Sequence, residues 1–321
     1  MALQSSGAIS LNEIHIEAGG SSGSTASIND SDIRGLIDKS SGASNAFSEY
    51  YGASAATDLP TGGSTINGQV QLKQITVSDY ISSGGTLNVP ASMWVWSDST
   101  SVAAMIVDIP CTINNSGKII GKGGNGAYRP PNTVVAATAG GPAISVTSSG
   151  VTIINNSGAY IAGGGGGGGH RQDGGNANDS NAGGGGGAGG GVGGNSSNNA
   201  RIGGTGGALN ATGGNGTESG SGGGAGGASG FFGYSGGGGG RILPGVGGVA
   251  SSLVTWGSGG SAGNAGIGPN PSGSYSDLAG GGGGWGAAGG NGSATNGAAG
   301  GAAITGTSRT LTNNGTVYGS T

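Results

Sequence analysis

The chain holds 321 residues, of which 85 are glycine and only 7% carry charge, with a formal net charge of −4. Glycine has no side chain with which to fill a core and costs the most backbone entropy to order, yet disorder normally goes with high net charge and abundant proline, and here there are only 9 prolines. The composition therefore predicts an ordered backbone lattice that uses glycine because nothing larger fits; collagen, with proline near ~15–20% and an unbroken Gly-X-Y period, is excluded, and the absence of a basic patch leaves no electrostatic footprint for nucleic acid.

At the N-terminus, Met1 to Gly7 offers neither a basic nor an apolar stretch of the kind that opens a secretory signal. No apolar run of ~18 residues occurs, so membrane insertion is not expected. Residues 1–58 carry short helical signals. Ile9, Leu11, Ile14 and Ile16 lie in one segment that ends at Gly19-Gly20. Asn29-Asp30-Ser31-Asp32 precedes Ile33-Arg34-Gly35-Leu36 as a capped helix start with acidic residues in its first turn. Phe47-Ser48-Glu49-Tyr50-Tyr51-Gly52 forms a third piece. Such pieces are too small for an independent core and are expected to fold against a partner.

Three stretches here, Ser6-Gly7-Ala8-Ile9-Ser10-Leu11-Asn12-Glu13-Ile14, Ser27 to Arg34 and Phe47 to Gly52, together resemble a module found at the start of many phage tail and fibre proteins. Glu49-Tyr50-Tyr51-Gly52 stands where Asp-Phe-Tyr-Gly is commoner. The resemblance implies a virion structural role, with Leu11, Ile14, Ile33, Arg34, Phe47, Tyr50 and Tyr51 as docking candidates. It also implies a location in the tail or fibre, after synthesis in the host cytoplasm.

Residues 59–161 read as a β-rich platform. Val70 to Val77 alternates apolar and polar residues, Met93-Trp94-Val95-Trp96 does so less cleanly, and Ala103 to Ile109 is a continuous apolar run suited to a buried strand. Cys111 is the only cysteine, so no intrachain disulfide exists. A repeat follows: Thr112-Ile113-Asn114-Asn115-Ser116-Gly117 is echoed by Ile153-Ile154-Asn155-Asn156-Ser157-Gly158 and again by Leu311-Thr312-Asn313-Asn314-Gly315. Each copy reads as two apolar runs about a tight turn, with Asn and Gly supplying left-handed backbone. The copies keep no fixed period, which argues against a solenoid. The last copy is expected to pair beside the first two, so that residues 307–321 close the platform and clamp both ends of the glycine zone.

Residues 162–306 are that zone. Within glycine bursts the other residues recur every three positions, as with Trp285, Ala288 and Asn291. Three residues per turn is the period of a polyglycine or polyproline II helix, which has no internal hydrogen bonds and must satisfy its backbone laterally. The expected fold is therefore mostly β and irregular: a small helical docking segment, a β-platform, and a bundle of about ten polyglycine II helices joined by loops. This pattern is similar to the distal adhesins of T-even-type phages, whose polyglycine II sandwich presents receptor-reading loops at one end.

The loops carry nearly all the large side chains of this zone. His170, Arg171, Leu209, Phe231, Phe232, Tyr234, Leu253 and Trp256 are the receptor-contact candidates, since exposed aromatics and Arg on a rigid scaffold suit a binding surface. The competing reading is that such residues plug the bundle ends. Were successive helices to alternate in direction, the loops at 170–182, 208–212, 231–235, 249–256 and 291–296 would gather at one end. Those at 195–202, 217–221, 241–244 and 269–279 would gather at the other.

Enzymatic readings are weak. Gly121-Lys122-Gly123-Gly124-Asn125-Gly126 matches a nucleotide-binding fingerprint only because glycine is so frequent, and no βαβ unit surrounds it. Asp173, Asp179, Glu218 and Asp277 are too few for a calcium β-roll, and the carboxylates too scattered for a glycosidase pair. His170, Asp173 and Ser180 share one loop without the rigid frame a triad needs. No catalytic residue, metal ligand or cofactor is assigned. The partners expected are other phage tail or fibre proteins and a bacterial surface receptor, an outer-membrane protein or a glycan; a homotrimer and a monomeric fibre tip are both open. Two functions compete: an adhesin, and a purely architectural fibre segment or decoration. An ice-binding or matrix protein built from the same helices is a third, against which the tail-like N-terminus argues.

Overall fold

The computed structural model describes residues 3–37, 39–40, 42–53, 55–62, 65–66, 69–128, 133–170, 184, 186–194, 259–260, 263–267, 279–306 and 308–321. Helix α1 (Leu11–Glu17) starts at a capping box in which the Ser10 side chain and Glu13 satisfy each other's backbone N–H groups. Helix α2 (Ser31–Gly35) and a 3₁₀ turn (Phe47–Tyr50) follow. Contrary to expectation, this segment has a core of its own. Leu3, Ile14, Ile33 and Tyr50 are buried together, with Ile9, Leu11, Ile28 and Leu36 packed around them.

The strands form a parallel β-solenoid of three faces. The first face orders β1 (Ala56–Asp58), β5 (Thr86–Val89), β8 (Thr112–Asn115), β11 (Val151–Asn155) and β14 (Arg309–Asn313). The second orders β4 (Ile75–Thr76), β7 (Met105–Val107), β10 (Ile144–Val146) and β13 (Ile304–Thr305). The third orders β2 (Thr65–Ile66), β3 (Gln69–Lys73), β6 (Met93–Trp96), β9 (Lys118–Ile120), β12 (Tyr160–Ala162) and β15 (Thr316–Tyr318). Among the described residues every strand pairing is parallel except that of β2 with β3.

From β3 onward the chain visits the three faces in fixed rotation, and alternate side chains point inward to one core. Leu87, Ile113, Ile153 and Leu311 stack from one face. Val95, Ile119, Ile161 and Val317 stack from another. Met105, Ile144 and Ile304 stack from the last. The solenoid is thus present although the repeat copies keep no fixed period. Its period is hidden because the two longest insertions, residues 121–143 and 163–303, together with 97–104, enter at one corner, between a third-face strand and the next second-face strand.

The Asn-Asn-(Ser)-Gly motifs are corners between faces rather than hairpin turns, and Gln74 is the one non-glycine residue with positive φ among the described residues. The asparagines serve instead as ladders. Asn115 and Asn155 replace the inward Val89 of the rung before them and are fully buried. Nδ2 of Asn115 donates to Oδ1 of Asn155, and Nδ2 of Asn155 donates to Oδ1 of Asn313, both at 2.8 Å. On the outside, Asn156 donates to Asn114, Asn114 to Asn88 and Asn88 to Asp58 at 2.7–3.0 Å.

The described segments of the insertions at 121–143 and 163–303 bond sideways to one another. Gly164 and Gly167 donate to Gly141 and Thr138, Gly166 and Gly169 to Ala287 and Gly290, and Gly165 to Ala188. The carbonyls of Gly164 and Gly167 accept from Gly301 and Ala298, those of Gly165 and Gly168 from Gly124 and Ala127, and those of Gly163, Gly166 and Gly169 from Gly286, Gly283 and Gly280. Segment 163–169 is thus ringed by six neighbours, each met at intervals of three residues. The glycine layer also begins before residue 162, because segments 122–127 and 138–141 are part of this ring.

Candidate functional site

The hydrogen-bond register fixes the direction of each glycine segment. Gly163 donates to Tyr318 in the last solenoid strand, so segment 163–169 leaves the solenoid and ends at His170. Segment 280–286 runs back down, since Gly280 meets Gly169 and Gly286 meets Gly163. Segment 287–290 rises again beside 166–169, and 298–301 descends from Gly167 to Gly164. Segment 184–188 descends from Ala127 to the turn at 188–190, and 191–194 climbs back until Gly194 donates to Gly184. Gly263 and Gly266 donate to Trp285 and Ala288, so 263–267 climbs as well.

Near the solenoid the segments are joined by tight turns. These use positive-φ glycines, Gly189 (φ 100), Gly190 (φ 77), Gly263 (φ 76) and Gly286 (φ 63), a conformation that side-chain-bearing residues rarely adopt. At Gly286 a Cβ would also collide with the backbone of Tyr318 and Gly319.

The described parts of the long bursts, 184 with 186–194, 259–260 with 263–267, and 280–290, therefore run both down and up, and the expected alternation of loop ends is corrected. The described residues that flank 171–183, 195–258 and 268–279, and the turn at 291–296, all reach the end away from the solenoid. Loops 195–202 and 269–279 accordingly begin or end on the same side as 170–182.

His170 stands at this far end. It is 1% exposed. Its backbone N–H donates to Oγ1 of Thr295 at 2.9 Å, and Nδ1 lies 3.0 Å from the same oxygen. Gly292 donates to Thr295 O at 2.8 Å and Gly297 to Oδ1 of Asn291 at 3.1 Å, which closes the 291–296 turn around it. His170 thus fastens the base of one loop to the neighbouring turn and is too buried to touch a receptor. Arg171, Leu209, Phe231, Phe232, Tyr234, Leu253 and Trp256 lie outside the described residues.

At the other end, the docking candidates separate into two groups. Ile14, Ile33 and Tyr50 are core residues and Leu11 is packed against them, so they present no face. Arg34 is 2% exposed. Its guanidinium donates to Asn29 Oδ1 at 2.9 Å, to Ser40 O at 3.0 and 2.8 Å, and to Ala43 O. It holds the 29–43 segment together, as a buried guanidinium must when its donors need partners. Phe47 and Tyr51 are 41% and 37% exposed and remain available, and Ile16 is 45% exposed.

A second apolar cluster was not anticipated. On the outer side of the third face, Trp94, Ile120 and Ala162 are buried against Ala188 and Trp285, with Trp96 and Tyr318 at the margin. The Lys118 ammonium sits 4.8 Å from the Trp94 ring centroid, a cation–π distance. This cluster seats the solenoid-side turns of the glycine layer. Its signal in the sequence was the pairing of Met93-Trp94-Val95-Trp96, in which both residues of an outward-facing pair are large and apolar.

Residues 64–233, more than half of the chain, match the model of the phage tail fibre adhesin Gp38 family. The chain belongs to that family. A family of tail fibre adhesins is one of structural, binding proteins. Among the described residues no group of three or more His, Cys, Asp or Glu could hold a metal ion, and no helix is long and apolar enough to cross a membrane. The fold is similar to a chain in the crystal structure of the gp37–gp38 adhesin tip complex of the bacteriophage S16 long tail fibre, with a TM-score of 0.50 and 21% identity over 96% of each chain. No curated protein matches.

Proposed function

We propose that this adhesin forms the tip of a phage tail fibre, attached to a second fibre protein through its N-terminal segment and reading the bacterial surface with loops at the far end of its glycine layer. The observation that carries the reading is the one-sided arrangement of connections. Tight turns face the solenoid, while the long, side-chain-rich segments are flanked by residues at the opposite end. That arrangement suits a scaffold which holds variable loops toward a target. We read the glycine layer as a bundle of polyglycine II helices. The support is that segment 163–169 bonds laterally at intervals of three in six directions, with no bond between its own residues, and at ~3.1 Å per residue it would stand roughly 20 Å tall. For the other end, the S16 complex pairs its adhesin with a second fibre protein, and the exposed Phe47, Tyr51 and Ile16 supply an apolar face for such a partner here.

The test is to replace Phe231, Phe232 and Tyr234 together with Ser and to measure phage adsorption to host cells. Rigid aromatics bind sugars and pockets with little entropy loss, so adsorption should be lost while particles assemble normally. Unchanged adsorption in this variant, and in one carrying Leu253→Ser and Trp256→Ser, would replace the adhesin reading with a purely architectural one.

A further inference from the structure

We propose that Asn314 is a site of spontaneous covalent modification, at which the fold directs conversion of asparagine to isoaspartate and aspartate. The chemistry needs a backbone nitrogen free to attack. The amide nitrogen of the following residue, once it gives up its proton, bonds to the side-chain carbonyl carbon, the C–N bond of the side-chain amide breaks, and ammonia leaves. A water molecule then opens the resulting five-membered imide at either carbonyl, giving aspartate or, with one more main-chain methylene, isoaspartate. Glycine in the following position permits this best because no side chain obstructs the attack.

Four Asn–Gly pairs fall within the described residues, and the fold treats one of them differently. Gly126 N donates to Val192 O, while the Asn125 side chain accepts from Val192 N. Gly292 N donates to Thr295 O, and Gly297 N to the Asn291 side chain, which ties both the 291–292 and 296–297 pairs. At 314–315 neither group is engaged among the described residues: the exposed Asn314 side chain and the Gly315 N–H both lack a partner. Glycine cannot be exchanged at 315, because a Cβ would press on Asn156 O at 2.5 Å, Ala159 O at 2.6 Å and Asn155 Nδ2 at 2.6 Å. The corner that needs glycine for packing therefore also exposes the reactive pair.

The consequence is local but well placed. Asn314 N donates to Asn155 O at 2.8 Å, and Thr316 N donates to Ala159 O at 2.9 Å. An added main-chain methylene between these anchors prevents both bonds from being kept. It loosens the rung into which the glycine insertion returns.

Purified full-length protein would be held at mildly alkaline pH and the four sites followed by peptide mass mapping and isoaspartyl methyltransferase labelling. Asn314 is expected to convert about tenfold faster than Asn125, Asn291 and Asn296, since each of those must first open a hydrogen bond. In denaturant the four rates should converge. Asn314→Ser should remove the label at this site and the loss of thermal stability that accompanies ageing. Conversion at Asn314 no faster than at the other three in the folded chain would overturn the proposal, and so would a preference that persists in denaturant.

Discussion

Nδ2 of Asn115 lies 2.8 Å from Oδ1 of Asn155 although 40 residues separate the two in the chain. The pair sits inside the solenoid, in a column that holds Val89 one rung earlier. Such a ladder is stable only while each amide is satisfied by its neighbours, because an orphaned buried amide costs more than a made bond returns.

Substituting Asn155 by Ala would leave the buried Asn115 amide one bond short, with only Tyr160 O at 3.3 Å still accepting from it, while the exposed Asn313 turns to solvent, and the expected loss is about 1–3 kcal/mol. Denaturant unfolding followed by tryptophan fluorescence measures it. A change below about 0.5 kcal/mol, the size of an ordinary surface substitution, would show that the ladder is not holding the rungs.

The glycine ring is intolerant of side chains. A Cβ on Gly166 would collide with the carbonyl oxygens of Ala298 and Ala299, whereas one on Gly35 meets nothing within 4 Å. Gly166→Val should cost on the order of 3 kcal/mol or abolish folding, by overpacking and by unpairing backbone groups. Gly35→Ala should be neutral or slightly stabilising, since α2 contains Gly35 and Ala is the better helix former. Equal melting temperatures for the two variants would refute the close packing.

Attachment should depend on the exposed residues of the N-terminal segment and not on its core. Phe47→Ser with Tyr51→Ser is expected to leave the circular dichroism of the free protein unchanged and to reduce its incorporation into particles, as measured by immunoblot of purified virions. Incorporation at wild-type levels would remove these two residues from the interface.

Acid should loosen that same segment. Glu13 is held below its usual value of 4.5 by hydrogen bonds from the Ser10 backbone and side chain. Glu49 is held below it by Lys39 and by the Ala46 backbone N–H. Depressed carboxylates contribute stability that is complete above the unfolded value and is lost as pH falls through the lower folded value. Amide exchange in residues 10–18 and 46–51 should therefore speed up as pH drops below that of an ordinary carboxylate, after correction for the intrinsic rate. Glu13→Gln together with Glu49→Gln should flatten the response.

Burial, and secondarily the charge of Asp108, pushes the Cys111 thiol up to about 11. Since the thiolate is the reactive form, the folded protein should resist alkylation at neutral pH and take up one equivalent when unfolded. Rapid labelling of the native chain would mean that the solenoid core opens at the corner between β7 and β8.

Much of the outline was legible in the chain. Alternation in Val70 to Val77 and the three Asn-Asn corners located strands, because a period of two in apolar residues has one physical cause. The three-residue recurrence around Trp285 pointed to extended, laterally bonded glycine segments. The capping box at Ser10 was not read as such, but its apolar spacing placed a helix at Ile14. What misled was length: an N-terminal segment judged too short for a core closes one through Arg34, whose buried guanidinium bonds backbone oxygens that no local pattern reveals.

By itself the sequence determined the materials: strands with inward apolar residues, glycine where backbones must touch, and asparagine at the corners. The tertiary structure alone decided that the strands wind into one solenoid, because insertions at a single corner erase the period along the chain while leaving it intact in space. It also decided the polarity of the glycine layer. A glycine burst reads the same whether it runs straight or folds back, and only the register of Gly280 with Gly169, of Gly286 with Gly163 and of Gly290 with Gly169 again shows that 280–290 reverses. Local residues set the conformation of each segment, but the direction of a segment with no side chains is fixed by which backbone it bonds to.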